Sequence, residues 1–412
     1  MKPLILEASM DRGHLSGYFT GVACKNLSAV EADLFISHQH EFNGVEGLKK
    51  LFGKATGKQT FPASFLYLND NDDEPVIANN EFVTWYDARE QHLTRSEHRL
   101  YFPTTPVSEC AAEGDTLIIG RRPDGSVLVI IAENGSTISS QLQWLFGFSD
   151  LTHPGFSVRS ELECSQDKIE FASRVVLEHI GVVVEEVEEN YLDEMLRKFA
   201  GIFPGTKDFS AYSRSTIKGL DLKDNADSII MAFVEREEIL FRTLERHLIG
   251  DRLQKGFADD VDGFLAFSLS VQNRRKSRAG FSLENHLEVI FNAQGIQHTR
   301  TAVTENKEKP DFVFPDIKSY HDPVFDASKL TMLGAKSTCK DRWRQVLQEA
   351  DRIPNKHLLT LEPGISENQT NQMIRSHLQL VVPAAIHKTY RPTQTSWLLN
   401  LTDFIELVKK NQ

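Results

Sequence analysis

The chain reads Pro310-Asp311-Phe312-Val313-Phe314 and, after a polar connection, Leu330-Thr331-Met332-Leu333-Gly334-Ala335-Lys336-Ser337. Both stretches are short and apolar, a composition typical of strands buried inside a sheet. Each strand carries a charge, because Asp311 opens the first and Lys336 lies near the end of the second. An ammonium group buried without a partner is costly, so a lysine in such a strand is more often functional than structural. We therefore expect a functional role for Lys336.

Asp311 and Lys336 together have the chemistry of a magnesium-dependent nuclease. An acid can hold a divalent cation against the scissile phosphate, while a lysine holds and helps deprotonate the attacking water. Asp311 by itself is better explained as an ordinary acid at the end of a strand, so the pairing carries the argument. A Pro-Asp strand followed by a strand with a lysine is the pattern of PD-(D/E)XK nucleases. Gly334, however, stands where that pattern has its second acid.

Glu349 is a candidate for the missing acid. Residues 341–353 have the residue spacing of a helix. Because this predicted helix follows the Lys336 strand directly, it could return Glu349 toward Lys336. The alternative is a surface ion pair between Glu349 and Arg352, and the spacing leaves both interpretations open.

A further acid and two basic runs accompany these strands. Glu284 stands in the first turn of a predicted helix capped by Ser282, where it could join the site or only complement the helix dipole. The basic runs are Arg274-Arg275-Lys276-Ser277-Arg278, before this helix, and Lys340-Asp341-Arg342-Trp343-Arg344, which opens the helix with Glu349. In a major groove arginine reads guanine and aspartate accepts from cytosine, so the second run suits adjacent G·C pairs. The alternative for both runs is a solvated charged surface.

The N-terminal part predicts a β-rich domain up to about residue 150. Short apolar runs alternate with polar turn clusters, and the clearest hairpin joins Thr116–Gly120 to Val127–Ile131 through a Pro-Asp-Gly turn. From about Ser165 the pattern becomes helical, and acidic residues dominate from Glu185 to Glu194. The apolar strands of the second half alternate with helical segments, which predicts an α/β fold.

Composition excludes several classes of protein. At 412 residues two domains are the default, and 40% hydrophobic with 25% charged residues is typical of a globular protein. No apolar run approaches the roughly 18 residues of a membrane span, and the N-terminus lacks the apolar core of a signal peptide, so we expect a cytoplasmic protein without membrane contact. The four cysteines lack zinc-ligand spacing. The net charge of −12 argues against general polyanion binding but permits a local DNA-binding patch.

A set of motifs resembles the catalytic domain of EcoRII-type restriction endonucleases. They are Asn273-Arg274-Arg275-Lys276-Ser277-Arg278-Ala279-Gly280, Ser282-Leu283-Glu284, Lys309-Pro310-Asp311-Phe312, Tyr320-His321-Asp322, Lys336-Ser337-Thr338-Cys339-Lys340-Asp341-Arg342-Trp343-Arg344-Gln345 and Glu349-Ala350-Asp351. The resemblance covers about residues 195–390 and is most specific from Lys336 to Asp351. It implies a permuted PD-(D/E)XK domain whose second acid follows on the helix.

The resemblance implies a role for each matched residue. Asp311, Lys336 and Glu349 would form the catalytic core, with Mg2+ held by Asp311 and Glu349. Glu284 would be an additional acid and Tyr320 an active-site neighbour. The family's segment that reads CC/GG base pairs matches Lys340, Asp341 and Arg342. The expected DNA-binding residues are therefore Arg274, Arg275, Lys276, Arg278, Lys340, Asp341 and Arg342.

The N-terminal half matches the family less well. There the family has a DNA-binding pseudobarrel, akin to a plant transcription-factor domain, which binds a second copy of the site and regulates cleavage. Thr94-Arg95-Ser96-Glu97-His98-Arg99 resembles its DNA-contacting segment. This match gives Arg95, His98 and Arg99 as expected effector contacts, whereas residues 1–54 do not align.

The sequence thus predicts a β-rich DNA-binding effector domain over 1–165, a helical and acidic linker over 166–194 and a nuclease domain over 195–412. The resemblance implies a homodimeric type II restriction endonuclease that makes double-strand breaks at CCWGG-like sites, W being A or T. A separate cytosine methyltransferase would protect the host's own sites. Two alternatives stay open: a modification-dependent nuclease whose N-terminal domain reads altered DNA, and a non-cleaving DNA-binding regulator.

Overall fold

The computed structural model of the chain describes residues 14–32, 40–43, 45–55, 57–71, 75–92, 94–148, 151, 155–160, 162, 170–182, 184, 191–339 and 342–412. The chain forms two compact units. The first is Met1–Val184 with Pro363–Ser366, and the second is Glu185–Glu362 with Glu367–Gln412. The division after Val184 falls within the segment 166–194 that we expect to link the domains.

The first unit is built on one eight-stranded sheet. Its strands are β1 (Gly21–Asn26), β2 (Glu41–Asn43), β3 (Gln59–Leu68), β4 (Val76–Asp87), β5 (His98–Tyr101), β6 (Thr116–Arg121), β7 (Val127–Ala132) and β8 (Ser157–Arg159). They are ordered β2-β5-β4-β3-β7-β6-β1-β8, and all neighbours are antiparallel except β3 and β7. The mostly-β architecture expected for this half is confirmed.

The hairpin predicted from the Pro-Asp-Gly turn joins β6 to β7. Gly125 has φ +85°, a left-handed conformation that glycine adopts without strain. Along β6, Ile118 packs into one hydrophobic cluster while Leu117 and Ile119 pack into another. This alternation is expected because successive side chains of a strand point to opposite faces. The sheet is therefore covered on both faces.

Short helices accompany this sheet. They are α1 (Ala29–Ala32), α2 (Val45–Phe52), α3 (Pro106–Cys110), α4 (Thr137–Leu145) and α5 (Phe171–His179). Ser136 caps α4, because its side chain accepts a hydrogen bond from the Ser139 amide. The helix expected from about Ser165 begins at Phe171, while Ser165 itself lies outside the described residues.

The second unit contains a five-stranded mixed sheet. Its strands are β9 (Thr299–Arg300), β10 (Phe312–Phe314), β11 (Thr331–Lys336), β12 (Lys356–Thr360) and β13 (Leu378–Val381), ordered β13-β12-β11-β10-β9. The strands β9, β10 and β11 are antiparallel, whereas β11, β12 and β13 are parallel. Each apolar run that predicted a strand in this half forms one, so the α/β prediction is confirmed.

Helices surround the second sheet. They are α6 (Leu192–Lys198), α7 (Thr206–Ser215), α8 (Ala226–Lys255), α9 (Val261–Ala293), α10 (Ile317–His321), α11 (Trp343–Val346), α12 (Glu367–Arg375), α13 (Pro392–Thr395) and α14 (Leu401–Asn411). Phe291 of α9 packs edge-on against both Phe312 and Phe314 of β10, with ring centroids 5.2 and 5.4 Å apart. Across the described ranges, no helix is both long and apolar enough to cross a membrane.

Two predicted helices have different bounds in the structure. The helix expected to start at Ser282 begins much earlier, because Asp260 accepts a hydrogen bond from the Gly263 amide and no proline interrupts the chain from there to Ala293. Ser282 is therefore not a cap. The helix expected over 341–353 is reduced to α11, because Pro354 disfavours helix just before it and residues 347–353 form turns.

Asp227, near the start of α8, binds segments that are distant in sequence. Its Oδ1 accepts from the backbone amides of Ala384 (3.1 Å) and Leu401 (2.8 Å). Its Oδ2 accepts from the amide (3.0 Å) and hydroxyl (2.5 Å) of Thr402. One buried carboxylate thereby satisfies the free amides at the start of α14, which a helix cannot satisfy by itself.

Candidate active site

Asp311 and Lys336 are in direct contact. The antiparallel pairing of β10 and β11 puts Phe312 opposite Leu333, which brings the residue before β10 close to the end of β11. The Lys336 Nζ lies 2.8 Å from Asp311 Oδ2, and the Ala335 amide donates to the same oxygen at 2.7 Å. The two side chains are 17% and 13% exposed, so the pair is desolvated in part but accessible.

Glu349 brings a buried carboxyl group to this pair. The residue is 7% exposed, and within the described chain its Oε2 has no hydrogen-bond partner. Burial raises the pKa of Glu349 to about 7, the positive charge of Lys336 opposes this rise, and the charges of Asp311 and Glu308 add to it. A buried polar atom without a partner is costly, and a bound cation would relieve that cost.

Glu284 of α9 is the fourth member of the cluster. Burial and then the charge of Asp311 raise the pKa of Glu284, while Arg300 and Lys336 oppose the rise. Arg300 of β9 holds the carboxylate, with its NH2 2.9 Å from Glu284 Oε2. Arg300 was not predicted, because β9 has only two residues and no apolar run marks it.

Gly334 explains why the second acid is not on β11. A Cβ atom at this position would lie 3.0 Å from Val346 Cγ2 and 3.3 Å from Val346 Cγ1. The side chain of Val346, from α11, thus occupies the space that an acid at 334 would need. The structure places Glu349 at the site by way of the turn after α11 and not on the helix itself.

The oxygen atoms of this cluster suit a hard cation. Within the described ranges, no three His, Cys, Asp or Glu side chains converge into a complete metal site. Mg2+ is commonly bound by one or two carboxylates and completes its shell with waters and substrate phosphate. Asp311 and Glu349, the latter with an unpartnered Oε2, therefore fit a magnesium ion whose other ligands would be waters or a bound phosphate.

Tyr320 lies in α10 and is fully buried. Its hydroxyl donates to Glu305 Oε2 (2.5 Å) and accepts from the Arg352 amide (3.3 Å). Burial and the hydrogen bond to Glu305 raise the pKa of Tyr320. The residue predicted as an active-site neighbour thus supports the turn that carries Glu349, and its hydroxyl does not bond to Asp311 or Lys336.

Arg278 is the most enclosed of the DNA-binding candidates in its basic run. Its side chain is 10% exposed, and its guanidinium pairs with Glu237 (3.4 Å) and, more closely, with Glu238. It also lies over the ring of Phe241, 4.2 Å from the centroid. To contact a duplex, this guanidinium would first have to leave both carboxylates and the ring.

The other members of that basic run differ in accessibility. Arg275 donates to Glu245 Oε2 through Nε (2.8 Å) and NH2 (2.6 Å), although its side chain is 41% exposed. Arg274 stacks on Phe203, with its guanidinium carbon 3.8 Å from the ring centroid. Lys276 is exposed. Of the four basic residues, Lys276 is the one best placed to contact a phosphate.

The predicted base-reading segment is described only at its end. Lys340 and Asp341 lie outside the described residues, whereas Arg342 is exposed immediately before α11. The Arg342 amide donates to the Cys339 carbonyl (2.8 Å), and the Cys339 amide donates to Glu362 Oε2 (2.9 Å). The buried Glu362 therefore anchors the chain next to this segment.

His98 is the most buried of the expected effector contacts. The residue is 1% exposed, and its Nε2 accepts from the Ala55 amide at 3.1 Å. Because Nε2 accepts, the proton lies on Nδ1, which donates to Ser96 Oγ at 2.9 Å. Both ring nitrogens are thus used inside the first unit, and the ring cannot contact DNA directly.

Arg99 and Arg95 lie close to His98 in sequence but have different environments. Arg99 pairs with Glu41 (2.5 Å) and Glu97 (2.6 Å). Arg95 is exposed. Arg95 is therefore the effector candidate whose charge a ligand reaches most directly, while Arg99 would first have to leave two carboxylates.

Comparisons with known proteins match the C-terminal unit. The EcoRII C-terminal family matches residues 241–405. The type II restriction enzyme EcoRII of Escherichia coli is 48% identical over 167 residues, which is 40% of this chain and 41% of that protein. The type II restriction enzyme SsoII of Shigella sonnei is 25% identical over 149 residues, 34% of this chain and 48% of that protein. The chain thus spans less than half the length of either relative.

Two solved structures are also similar. Metal-depleted Ecl18kI in complex with uncleaved, modified DNA has a TM-score of 0.44 at 18% identity, covering 55% of this chain and 85% of that one. The complex of the restriction endonuclease PspGI with substrate DNA has a TM-score of 0.43 at 15% identity, covering 51% of this chain and 93% of that one.

Proposed function

We propose, because residues 241–405 match the EcoRII C-terminal family, that this chain is a type II restriction endonuclease. It makes magnesium-dependent double-strand breaks in DNA at a short CC/GG-containing site of the CCWGG kind. It acts in the cytoplasm against foreign DNA, and a separate cytosine methyltransferase protects the host's sites.

One observation carries this proposal. Asp311 and Lys336 form a partly buried pair at 2.8 Å, and the buried Glu349, whose pKa both of them influence, has an unpartnered Oε2 in the described chain. Structural ion pairs are usually fully matched, whereas here Asp311 and Glu349 share the single positive charge of Lys336, and Arg300 pairs with Glu284. An excess of carboxylate around one lysine suits binding of a divalent cation.

Each residue of the cluster has a distinct chemical task. Asp311 and Glu349 would hold Mg2+, which would supply positive charge to stabilise the developing charge on the scissile phosphate. Lys336 would orient the attacking water in line with the leaving 3′-oxygen and favour loss of its proton to solvent, while the leaving oxygen takes a proton from water. Cleavage then leaves 5′-phosphate and 3′-hydroxyl ends. Glu284, held by Arg300, adds negative charge beside Asp311.

DNA recognition and assembly follow from the same architecture. Lys340, Asp341 and Arg342 read the G·C pairs, and Lys276 contacts a phosphate. The described part of one chain provides one Asp311–Lys336 pair, whereas a double-strand break requires hydrolysis of a phosphodiester bond in each of the two DNA strands. A homodimer supplies two such sites related by a twofold axis, which matches a twofold-symmetric DNA site.

Cleavage of defined duplexes tests this function. Purified protein is incubated with plasmids that carry CCWGG sites or lack them, with Mg2+ or with Ca2+, and the ends are sequenced. Double-strand cuts at CCWGG with Mg2+ are the expected result, and Asp311→Ala should abolish them. An absence of cleavage on every plasmid, despite DNA binding, would identify a non-cleaving regulator. Cleavage confined to cytosine-modified plasmids would identify a modification-dependent nuclease.

A further inference from the structure

The side chain of Lys356 lies inside the turn that carries Glu349. Lys356 is the first residue of β12 and is 7% exposed. Its Nζ donates to the backbone carbonyls of Glu349 (2.5 Å), Ala350 (3.0 Å) and Ile353 (3.0 Å). One ammonium group thus closes the whole turn from Glu349 to Ile353.

The ammonium group is fully used by these contacts. A lysine has three N–H donors, and each has one carbonyl acceptor here. In the described chain no carboxylate lies within ion-pair distance of Lys356 Nζ. Burial lowers the pKa of Lys356, while the charges of Asp351, Glu349 and Glu305 oppose that effect. Hydrogen bonds from a charged donor are stronger than neutral ones, so this arrangement holds the turn firmly.

A second set of contacts holds the same turn from the side chains of Tyr320 and Glu305. Tyr320 accepts from the Arg352 amide (3.3 Å) and donates to Glu305 (2.5 Å). Glu305 Oε2 in turn accepts from the Asp351 amide at 3.3 Å. Backbone carbonyls of the turn are therefore fixed by Lys356, and backbone amides by Tyr320 and Glu305.

The turn needs such support because no regular element orients Glu349. The helix α11 ends at Val346, and Ala350 adopts φ +53°, a left-handed conformation that is unfavourable for a residue with a Cβ. The carboxyl group of Glu349 is also close to the like charges of Asp311 and Glu308. Without its contacts the turn would relax and carry Glu349 away from the cluster.

We propose that Lys356 is a positioning residue for the proposed nuclease reaction: it holds the Glu349 carboxylate where it and Asp311 bind one divalent cation. This inference rests on the proposed function. Lys356 does not touch DNA or the reacting atoms in this proposal, and its effect passes through the backbone of the turn. Its removal should weaken cation binding and leave binding of DNA unchanged.

Binding of Mn2+ to the full chain tests this role without turnover. Lys356→Met keeps the apolar stem and removes the three donors. Free Mn2+ is measured by electron paramagnetic resonance, and we expect Lys356→Met to weaken Mn2+ binding by about tenfold or more, the usual effect of losing a residue that orients a metal ligand. Lys329→Met, at an exposed lysine of the same unit, should bind Mn2+ as the unchanged protein does.

A control for general loss of stability is Leu244→Ala, a truncation in the hydrophobic cluster formed by helices α6, α7 and α8. It should lower the unfolding midpoint without weakening Mn2+ binding. In cleavage assays, raising the Mg2+ concentration should restore the rate of Lys356→Met but not that of Lys336→Ala. A purely structural role of Lys356 would not produce this difference.

The outcomes separate this inference from the proposed function. Wild-type affinity for Mn2+ in folded Lys356→Met overturns the positioning role alone. Absence of Mn2+ binding in the unchanged protein, both alone and with a CCWGG duplex present, overturns both the metal site and the inference. If Lys356→Met does not fold, Lys356→Gln decides, because its neutral amide keeps two N–H donors of the three that Lys356 has. Unchanged Mn2+ affinity in Lys356→Gln would then overturn the proposal.

Discussion

The Lys336 ammonium group and the Asp311 carboxylate each make the burial of the other tolerable. Their contact is 2.8 Å long, and both side chains are less than one-fifth exposed. The interaction of a partly buried pair is offset by the loss of hydration, so the pair is weak support for stability. Its value lies in the chemistry that a lysine beside an acid proposed to bind a metal makes possible.

Lys336→Ala should remove cleavage while sparing DNA binding. The lysine acts on the attacking water, and affinity comes mainly from phosphate and base contacts. We expect the single-turnover rate to fall by about 100-fold or more, as for loss of a general acid–base group. Binding of a CCWGG duplex in Ca2+, followed by fluorescence anisotropy, should stay close to that of the unchanged protein. Turnover near the original rate would remove Lys336 from the mechanism.

Gly334→Ala should destabilise the C-terminal unit through Val346. The new Cβ would lie 3.0 Å from Val346 Cγ2, closer than ordinary contacts allow. Overpacking of this kind costs about 1–3 kcal/mol of unfolding free energy. In a Val346→Ala background the cost should shrink, which a double-mutant cycle of denaturant unfolding measures. Equal costs in both backgrounds would show that Val346 is not the obstacle.

At the scale of the elements, the start of α11 is the predicted base-reading site. Arg342→Ala should lose discrimination for G·C pairs by about 1–3 kcal/mol per bidentate contact.

Lys276→Ala, at the expected phosphate contact, should weaken specific and non-specific binding equally and reduce the salt dependence. Competition binding with altered sites separates the two. If Arg342→Ala weakened specific and non-specific DNA binding equally, Arg342 would be a contact to the DNA phosphate backbone and not to the bases.

His357, in the strand β12, makes the stability of the C-terminal unit depend on pH. Burial lowers the pKa of His357 to about 4, from an ordinary value of 6.5, and its ring lies 5.2 Å from that of Phe404. Between about pH 4 and pH 6.5, the imidazole of His357 is therefore protonated in the unfolded chain and neutral in the folded chain. Stability from this group is complete above pH 6.5 and declines as the pH falls toward 4, by at most about 3 kcal/mol.

His357→Gln should remove this part of the pH dependence. Denaturant unfolding at pH 7 and at pH 4.5 should show a smaller loss of stability in the variant than in the unchanged protein. Other titrating groups affect both proteins alike, so the difference isolates His357. Parallel stability curves for the two proteins across this interval would contradict the assignment.

For the whole molecule, the division after Val184 predicts separable function. A truncated protein beginning near residue 180 keeps α6, whose Met195 packs into one cluster with Phe209 and Leu244. It should fold, dimerise and cleave the same sequence, because every proposed catalytic residue lies at or beyond Glu284. A fragment beginning at residue 200 lacks Met195 and should be less stable.

Site dependence provides the measurement for this prediction. Any requirement of the full chain for a second DNA site should vanish in the truncated protein, as tested with one-site and two-site plasmids. The isolated first unit should bind duplex DNA through Arg95, more weakly at higher salt. A folded but inactive truncated protein would mean that the first unit completes the catalytic assembly.

Much of this arrangement could be predicted from local sequence. Buried strands have apolar runs, so the sequence predicts β10 and β11 with their acid and lysine, and the motif around Lys336 gives Glu349 as a candidate that the structure brings near both. The turn that presents Glu349 was not predicted. It depends on the hydrogen bond from Lys356 Nζ to the Glu349 carbonyl, seven residues earlier, and such a contact produces no periodic pattern of apolar residues in the sequence.

Which residues of a charged run are buried in ion pairs could not be predicted either. Arg278 looked like part of a DNA-binding run, but Glu237, its partner, lies 41 residues earlier in the chain. Local sequence shows the charge of a side chain but not which residues surround it. A buried network of ion pairs therefore has the same local pattern as a solvated charged surface. Arg300 was also not predicted, because its strand has only two residues and its partner Glu284 lies 16 residues away on another element.

The contacts of Asp227 set an order of events during synthesis. Its partners Leu401 and Thr402 follow it by 174 and 175 residues. A ribosome adding about 5–20 residues per second needs about 10–35 seconds to cover that distance. The first unit has every strand of its sheet before α8 is made, so it can fold while the second unit still waits for α14. Under the proposed function, a nascent chain therefore acquires its β-rich half well before its nuclease half could harm the chromosome of the cell that makes it.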